Sequence, residues 1–179
     1  MEHAAYTVFK TPIGHCALAW NSAGLVAVQL PEGSAAATAR RICRRLPGAI
    51  RRAPPGSVQR AIDAIVCLLR GGTDELALIP LDLSHYSAFC RRVYELTRAI
   101  PAGETLSYGE LAARVGEPGA ARAVGQAMAR NPFPLIVPCH RVLAAHGGAG
   151  GFSARGGVDT KFRLLRIEGA IRQEALPFG

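Results

Sequence analysis

Residues able to do covalent chemistry are gathered in the run Asn131-Pro132-Phe133-Pro134-Leu135-Ile136-Val137-Pro138-Cys139-His140-Arg141-Val142. A cysteine sulfur attacks as its thiolate, and a neighbouring base or cation is what lowers the thiol pKa from its usual value of about 8.5. Cys139 beside His140 therefore offers a thiol and a base, the two parts of an activated cysteine. The three prolines of the run exclude a helix and hold the backbone near extended values. They also reduce the freedom lost when the segment orders. Leu135-Ile136-Val137 is apolar enough to be buried, so the Cys–His pair is expected at the end of a rigid, water-poor segment. Neighbouring side chains of an extended chain point to opposite faces. Direct contact between Cys139 and His140 is thus not expected, and a bridging water or a local turn is required. Cys16, Cys43, Cys67 and Cys90 read as inert packing thiols.

The elements that must position this segment are legible on both sides of it. From Ser84 the pattern is helical, with Phe89, Val93, Leu96 and Ile100 at three- and four-residue spacing and Pro101-Ala102-Gly103 as the stop. Ser107 caps a short helix, Tyr108 to Val115, and Glu110 stands at the capping-box position. Gly116-Glu117-Pro118-Gly119 makes a turn into a second helix, Ala120 to Arg130, which stops at Asn131-Pro132. Two short helices across a tight glycine-containing turn suggest a helix-turn-helix. Earlier in the chain, Tyr6 to Phe9, Cys16 to Trp20 and Leu25 to Leu30 are short β-rich runs separated by turn signals, the pattern of an antiparallel meander. Ala35 to Leu46 is helical, with Arg40, Arg41, Arg44 and Arg45 read as a solvated face. Arg51 to Gly56 reads as a loop, and Val58 to Leu69 as a helix stopped by Gly71-Gly72. The expected class is α/β of the α+β kind. A small N-terminal domain of antiparallel sheet and helices spans residues 1–83, and a mostly helical C-terminal domain spans residues 84–179, with a boundary near Ile79-Pro80-Leu81-Asp82-Leu83.

The composition narrows the partners. A formal net charge of +8, carried almost wholly by arginine, suits a polyanion such as nucleic acid. An odd set of five scattered cysteines argues against a disulfide framework, and without a C-x-x-C pair the usual structural zinc signature is missing. No stretch reaches the roughly 20 apolar residues of a membrane span, and the first residues lack the pattern of a secretion signal. A reducing, cytoplasmic setting is expected.

The Pro138-Cys139-His140-Arg141-Val142 run resembles the active-site signature of the O6-alkylguanine-DNA alkyltransferases, also called methylated-DNA–protein-cysteine methyltransferases. Residues 100–112 resemble that family's lead-in to its helix-turn-helix, and Ala121-Arg122-Ala123-Val124-Gly125 its second helix. Asn131-Pro132 resembles its hinge, and Gly151-Phe152-Ser153 and Lys161 to Gly169 its tail. Together these cover roughly residues 84 to 170. The resemblance implies a single-turnover repair protein that takes an alkyl group from guanine O6 onto Cys139. His140 would activate the thiol through a water, and Glu168 would orient the imidazole. Tyr108 would supply a proton or hydrogen bond to the leaving purine. The nucleotide would be flipped out of double-stranded DNA approached through the minor groove. Arg122 would fill the vacated stack, the small residues Ala120, Ala121, Ala123, Gly125 and Ala127 would allow the close approach, and Tyr108 would be a further DNA-binding residue. Phe152, Ser153, Val142, Pro134 and Asn131 would border the substrate pocket, with Asn131 also tying the helix-turn-helix to the active-site segment.

The same resemblance implies a monomer that needs neither metal nor organic cofactor, and it leaves O4-alkylthymine open as a second substrate. A non-catalytic lesion sensor and a helix-turn-helix transcription regulator are the rival readings. The first lacks the acceptor thiol, which is present here; the second needs base-specific contacts and a dimer interface, and neither is evident. Cys90 and Tyr94 depart from the family pattern at packing positions. The residues after Ser153, Ala154-Arg155-Gly156-Gly157, form a slightly longer loop than in some relatives.

Overall fold

The computed structural model describes residues 3–73 and 76–171. Strands β1 (Ala5–Thr11), β2 (Gly14–Trp20) and β3 (Leu25–Gln29) form the expected antiparallel meander. The β1–β2 turn is closed by the Thr11 hydroxyl, which donates to the Gly14 carbonyl at 2.7 Å. A fourth strand, β4 (Ile50–Arg51), pairs parallel with β1 and completes the order β3-β2-β1-β4. It falls at the start of the stretch read as a loop from Arg51. Two residues paired to a strand far back in the chain leave no period-2 pattern to detect.

Residues 16–20 of β2 are all buried, so both faces of the sheet are covered. Alternate side chains divide between the faces. Ala17 and Ala19 pack with Ile42 of helix α1 (Ala35–Arg45), while Cys16, Leu18 and Trp20 join the main core. Helix α2 (Gly56–Leu69) contributes Val58, Ala61, Ile62, Ile65 and Leu68 to that core, and begins two residues before the expected Val58.

The chain then runs back along the sheet. Leu25 N–H donates to the Pro80 carbonyl at 3.0 Å, and Asp82 N–H donates to the Leu25 carbonyl at 2.8 Å. Helix α3 (Ala88–Arg98) starts later than expected, because Ser87 rather than Ser84 caps it, accepting from Cys90 N–H. Ser84 instead bonds to the Asp82 carboxylate through both its N–H and its hydroxyl.

The helix-turn-helix is present as α4 (Tyr108–Val115) and α5 (Ala121–Ala129). Both halves of the Ser107–Glu110 capping box form, and Gly116 ends α4 at φ +89°. Strand β5 (Leu106–Ser107) pairs parallel with β6 (Val142–Leu143), joining the start of α4 to the residues just beyond Cys139. Helix α6 (Val158–Ile167) follows. One apolar cluster holds Leu18, Val28 and Ile65 from the first half together with Tyr94, Phe133 and Val137 from the second. Tyr94, buried as a packing residue, meets Phe133 edge-on at 6.5 Å between ring centroids.

Candidate active site

The active-site segment is not extended. Proline fixes φ and leaves ψ free. Pro138, at φ −76° and ψ 69°, is the centre of an inverse γ-turn in which Cys139 N–H donates to the Val137 carbonyl at 2.7 Å. Leu135 takes φ +74°, and Val137 N–H closes a wider turn onto the Phe133 carbonyl at 2.8 Å. Cys139 to Arg141 then form one 3₁₀ turn. Successive side chains of a 3₁₀ turn point about a third of a revolution apart. His140 and Arg141 enter the interior, each fully buried, while Cys139 faces the cavities. Asn131 pins the segment, donating to the Val137 carbonyl at 2.8 Å and accepting from Phe133 N–H at 2.9 Å.

Behind the thiol lies a buried ion-pair cluster. His140 Nε2 is 2.7 Å from Glu168 Oε1. Arg141 grips the same carboxylate with two nitrogens, each at 2.9 Å, and a third donates to the Ile100 carbonyl. Glu168, at the end of α6, has a side chain only 2% exposed. Burial alone would raise its pKa, but hydrogen bonds from His140 and Arg141, with their charges, pull it to about 2. The ionised carboxylate only accepts, so Nε2 of a neutral His140 is the donor and Nδ1 carries the lone pair. Burial lowers the His140 pKa, which keeps the imidazole neutral. Its Nδ1 is buried and makes no hydrogen bond to a protein group. The pairing has thus selected a tautomer with a free base atom.

The Cys139 thiol is raised by burial, an effect opposed by Asn131, the charge of Lys161 and the N–H groups of Cys139 and His140. Lys161 is itself fully buried; it donates to the Val142 carbonyl at 2.6 Å and lies 5.8 Å from the centre of the Tyr108 ring. Burial lowers its pKa to about 8, partly offset by Cys139. Tyr108, the first residue of α4, has its phenol raised by burial and then by Cys139, so it holds its proton.

Two cavities meet at Cys139. One of about 390 Å³ is lined by Tyr108, Gly125, Met128, Phe152 and Ser153. The second, about 240 Å³, is bordered by Asn131, Pro134, Phe152 and Ser153 and reaches the first half of the chain. The structure thus brings Cys139, Tyr108, Gly125, Asn131, Pro134, Phe152 and Ser153 to one place, with His140 and Glu168 behind it. Val142 is the exception: it is fully buried and lines neither cavity, serving through its carbonyl as an anchor for Lys161. Ala121, Arg122 and Gly125 border a third, shallow groove with Tyr108, where Arg122 is exposed. Ala123 is partly buried on α5 and lines none of these cavities. Two contributors were not picked out from sequence. Arg141 stood inside the recognised run and Lys161 inside the tail, but a buried cation cannot be told from a solvated one by residue type. Arg40, Arg41, Arg44 and Arg45 are exposed, as read from sequence, and Arg41 and Arg45 also line the 240 Å³ cavity. Among the described residues no group of three or more His, Cys, Asp or Glu could hold a metal ion, and no helix is long and apolar enough to cross a membrane.

Residues 88–170 match the family model described as 6-O-methylguanine DNA methyltransferase, DNA binding domain. The chain is 43% identical over 116 residues to a methylated-DNA–protein-cysteine methyltransferase of Methanothermobacter thermautotrophicus, a match covering 65% of this chain and 64% of that relative. A protein of the same name from Mycobacterium tuberculosis is 44% identical over 114 residues, 67% of its length. The fold is similar to the crystal structure of Mycobacterium tuberculosis OGT in complex with DNA, with TM-score 0.75, 36% identity and 93% of each chain covered. It is also similar to the O6-methylguanine-DNA methyltransferase of Pyrococcus kodakaraensis, with TM-score 0.68, 26% identity, 93% of this chain and 99% of that one.

Proposed function

The chain belongs to the methylated-DNA–protein-cysteine methyltransferase family, and we propose from that premise that it repairs DNA by moving an alkyl group from guanine O6 onto Cys139. The observation that carries the reading is a thiol facing a cavity, backed by a buried imidazole whose base atom is left unbonded. His140 Nδ1 takes the Cys139 proton through a bridging water, and Glu168 stabilises the imidazolium that results. Sulfur bonds to the alkyl carbon while the carbon–O6 bond breaks, its electron pair passing to the purine. Tyr108, still protonated, donates toward that purine as charge develops. The thioether product has no easy leaving route, so each molecule acts once.

Double-stranded DNA is the partner, bound by the monomer through the minor groove. The net charge of +8 supports a polyanionic partner. Flipping the alkylated base costs about a few kcal/mol. Arg122, exposed on α5, fills the gap in the stack, and the small residues Ala121, Ala123 and Gly125 let the helix come close. The 390 Å³ cavity receives the base. Residues 1–83 serve as scaffold, and residues 84–179 bind DNA and accept the alkyl group. Five free cysteines suit a reducing compartment, the cytoplasm.

Incubating the protein with duplex DNA carrying a radiolabelled methyl on guanine O6, then mapping peptides, tests this directly. One label per molecule on the Cys139 peptide is expected, and Cys139→Ala should bind the DNA without label. Tight lesion binding by the wild type with no transfer would instead mark a damage sensor.

A further inference from the structure

The corner that leads into the active-site segment is held from the first half of the chain. Asn131, Phe133 and Val137 bond among themselves, so the Pro132 carbonyl between them is left for other donors, and its two lone pairs can take two. Val28 N–H of β3 donates to it at 2.8 Å, and Arg45 Nη2 of α1 donates at 3.4 Å. Arg45 Nη1 in turn donates to the Val28 carbonyl at 2.9 Å and to the Gln29 side-chain oxygen at 3.0 Å. The bonds among Arg45, Val28 and Pro132 thus close a ring that joins α1, the edge of β3 and the active-site segment. Gln29 is fixed in turn by donating to the Leu30 carbonyl and the Glu32 carboxylate. Arg45 lies in the last turn of α1, where the helix carbonyls favour a cation. The residue is exposed along part of its length, yet burial lowers its pKa first, and the charge of Arg41 lowers it further. Desolvating a guanidinium for three neutral acceptors costs free energy that an apolar side chain at the same place would not.

We propose that Arg45 is a positioning residue for the transfer reaction: through the Pro132 carbonyl it holds Asn131 where that side chain fixes the turn presenting Cys139. The inference rests on the alkyl-transfer reading and adds to it a part for residues 1–83 beyond scaffolding. The chain of contacts is short. Asn131 precedes Pro132 and donates to the Val137 carbonyl, and that same carbonyl accepts the Cys139 N–H of the inverse γ-turn. The Asn131 side chain also opposes the effect of burial on the thiol. A peptide plane that tilts at Pro132 therefore moves the amide on which both depend. Arginine suits the place because the two nitrogens of its rigid fork reach β3 and Pro132 together, whereas the single nitrogen of lysine serves one of them. The titratable groups around the thiol are His140, Lys161 on α6, Tyr108 on α4 and Tyr94 on α3. None of them is among the hydrogen-bond acceptors of Arg45.

The test uses the full chain, its Arg45→Lys variant, which keeps the charge and loses the fork, and Arg45→Met, which loses both. Single-turnover transfer from an O6-methylguanine duplex, followed over a range of DNA concentration, separates affinity from the transfer step. A second measurement needs no DNA: alkylation of Cys139 by iodoacetamide as a function of pH, read on the Cys139 peptide. Both variants should slow the transfer step about tenfold, the effect of losing one hydrogen bond from a charged group, with affinity within about twofold. Both should also move the alkylation midpoint upward by about one pH unit, which below the midpoint is the same tenfold in thiolate. Full activity in Arg45→Lys with a loss in Arg45→Met overturns the positioning role and marks a charge acting on the DNA backbone or on the thiol. A lowered urea midpoint with unchanged transfer and an unmoved alkylation profile overturns it too, leaving a purely structural tie. A wild type that takes no methyl group, yet has an Arg45-dependent alkylation profile, overturns the transfer reading and leaves the link between Arg45 and Cys139 standing.

Discussion

Burial raises the Cys139 thiol, and it also strips charge from His140, so the resting pair is neutral, and in the proposed reaction the nucleophile is made only when a proton moves to Nδ1. Glu168 holds the arrangement because Arg141 keeps it ionised; a protonated carboxyl would free Nε2 and lose the tautomer. The cost of that device is acid sensitivity. The folded pKa of Glu168 is depressed from 4.5 to about 2, so its contribution is complete above about pH 4.5 and disappears as pH falls toward 2. A shift of that size is worth on the order of 3 kcal/mol. His140 is also depressed in the fold, from 6.5, and adds to the loss below that pH because the unfolded chain binds the proton more readily. Urea midpoints measured from pH 7 to pH 2 should therefore fall steadily, first through His140 and then through Glu168. Glu168→Gln should start lower at pH 7 and lose the steeper part of the fall. Parallel curves for the two proteins would show that Glu168 is not the coupled group.

Among the elements, the loop before Phe152 meets α4 at Gly150, which lies against Tyr108. Its φ is +64°, and a Cβ there would stand 3.0 Å from the Tyr108 ring edge and hydroxyl. Gly150→Ala should thus displace the phenol as well as incur about 1 kcal/mol for a left-handed alanine. Rapid-quench transfer at saturating DNA should slow by about tenfold or more, the scale of a misplaced proton donor, with lesion affinity little changed. Loss of affinity with an unaltered transfer step would contradict that placement. The sequence made the neighbouring helices legible for local reasons. Ser107 and Glu110 announce the start of α4 by side-chain bonds within one turn, and the spacing of Val93 and Leu96 marks a helix by its period. Resemblance then carried Cys139, His140, Glu168 and Tyr108 to one site. What escaped depends on distant partners or on a free torsion. Strand β4 exists only through its pairing with β1, and the inverse γ-turn turns on the ψ of Pro138, which the proline ring does not fix. Lys161 and Arg141 are buried because of what the fold places around them, and Arg41 turns toward the active-site segment only once α1 packs on the sheet.

For the whole molecule, the charge of +8 gives DNA binding a salt-dependent part on which lesion recognition is superposed. Arg122 separates the two. If it fills the stack, Arg122→Ala should slow repair of duplex DNA far more than reaction with a free O6-alkylguanine base, leaving the salt slope of duplex binding nearly intact. A simple phosphate contact would instead reduce that slope by about one unit and leave duplex repair at saturating DNA unchanged. The two-residue sheet joining Leu106–Ser107 to Val142–Leu143 works at this scale too. It closes the chain into a ring whose circumference is the helix-turn-helix and whose clasp lies between Tyr108 and Cys139. A duplex pressing on α5 loads the far side of that ring, while the clasp holds the reacting groups at their spacing. The spacing of Tyr108 and Cys139 is therefore set by the clasp rather than by the duplex, while a change at Gly125 or Met128 of α5 reaches the reaction directly, because both line the 390 Å³ cavity.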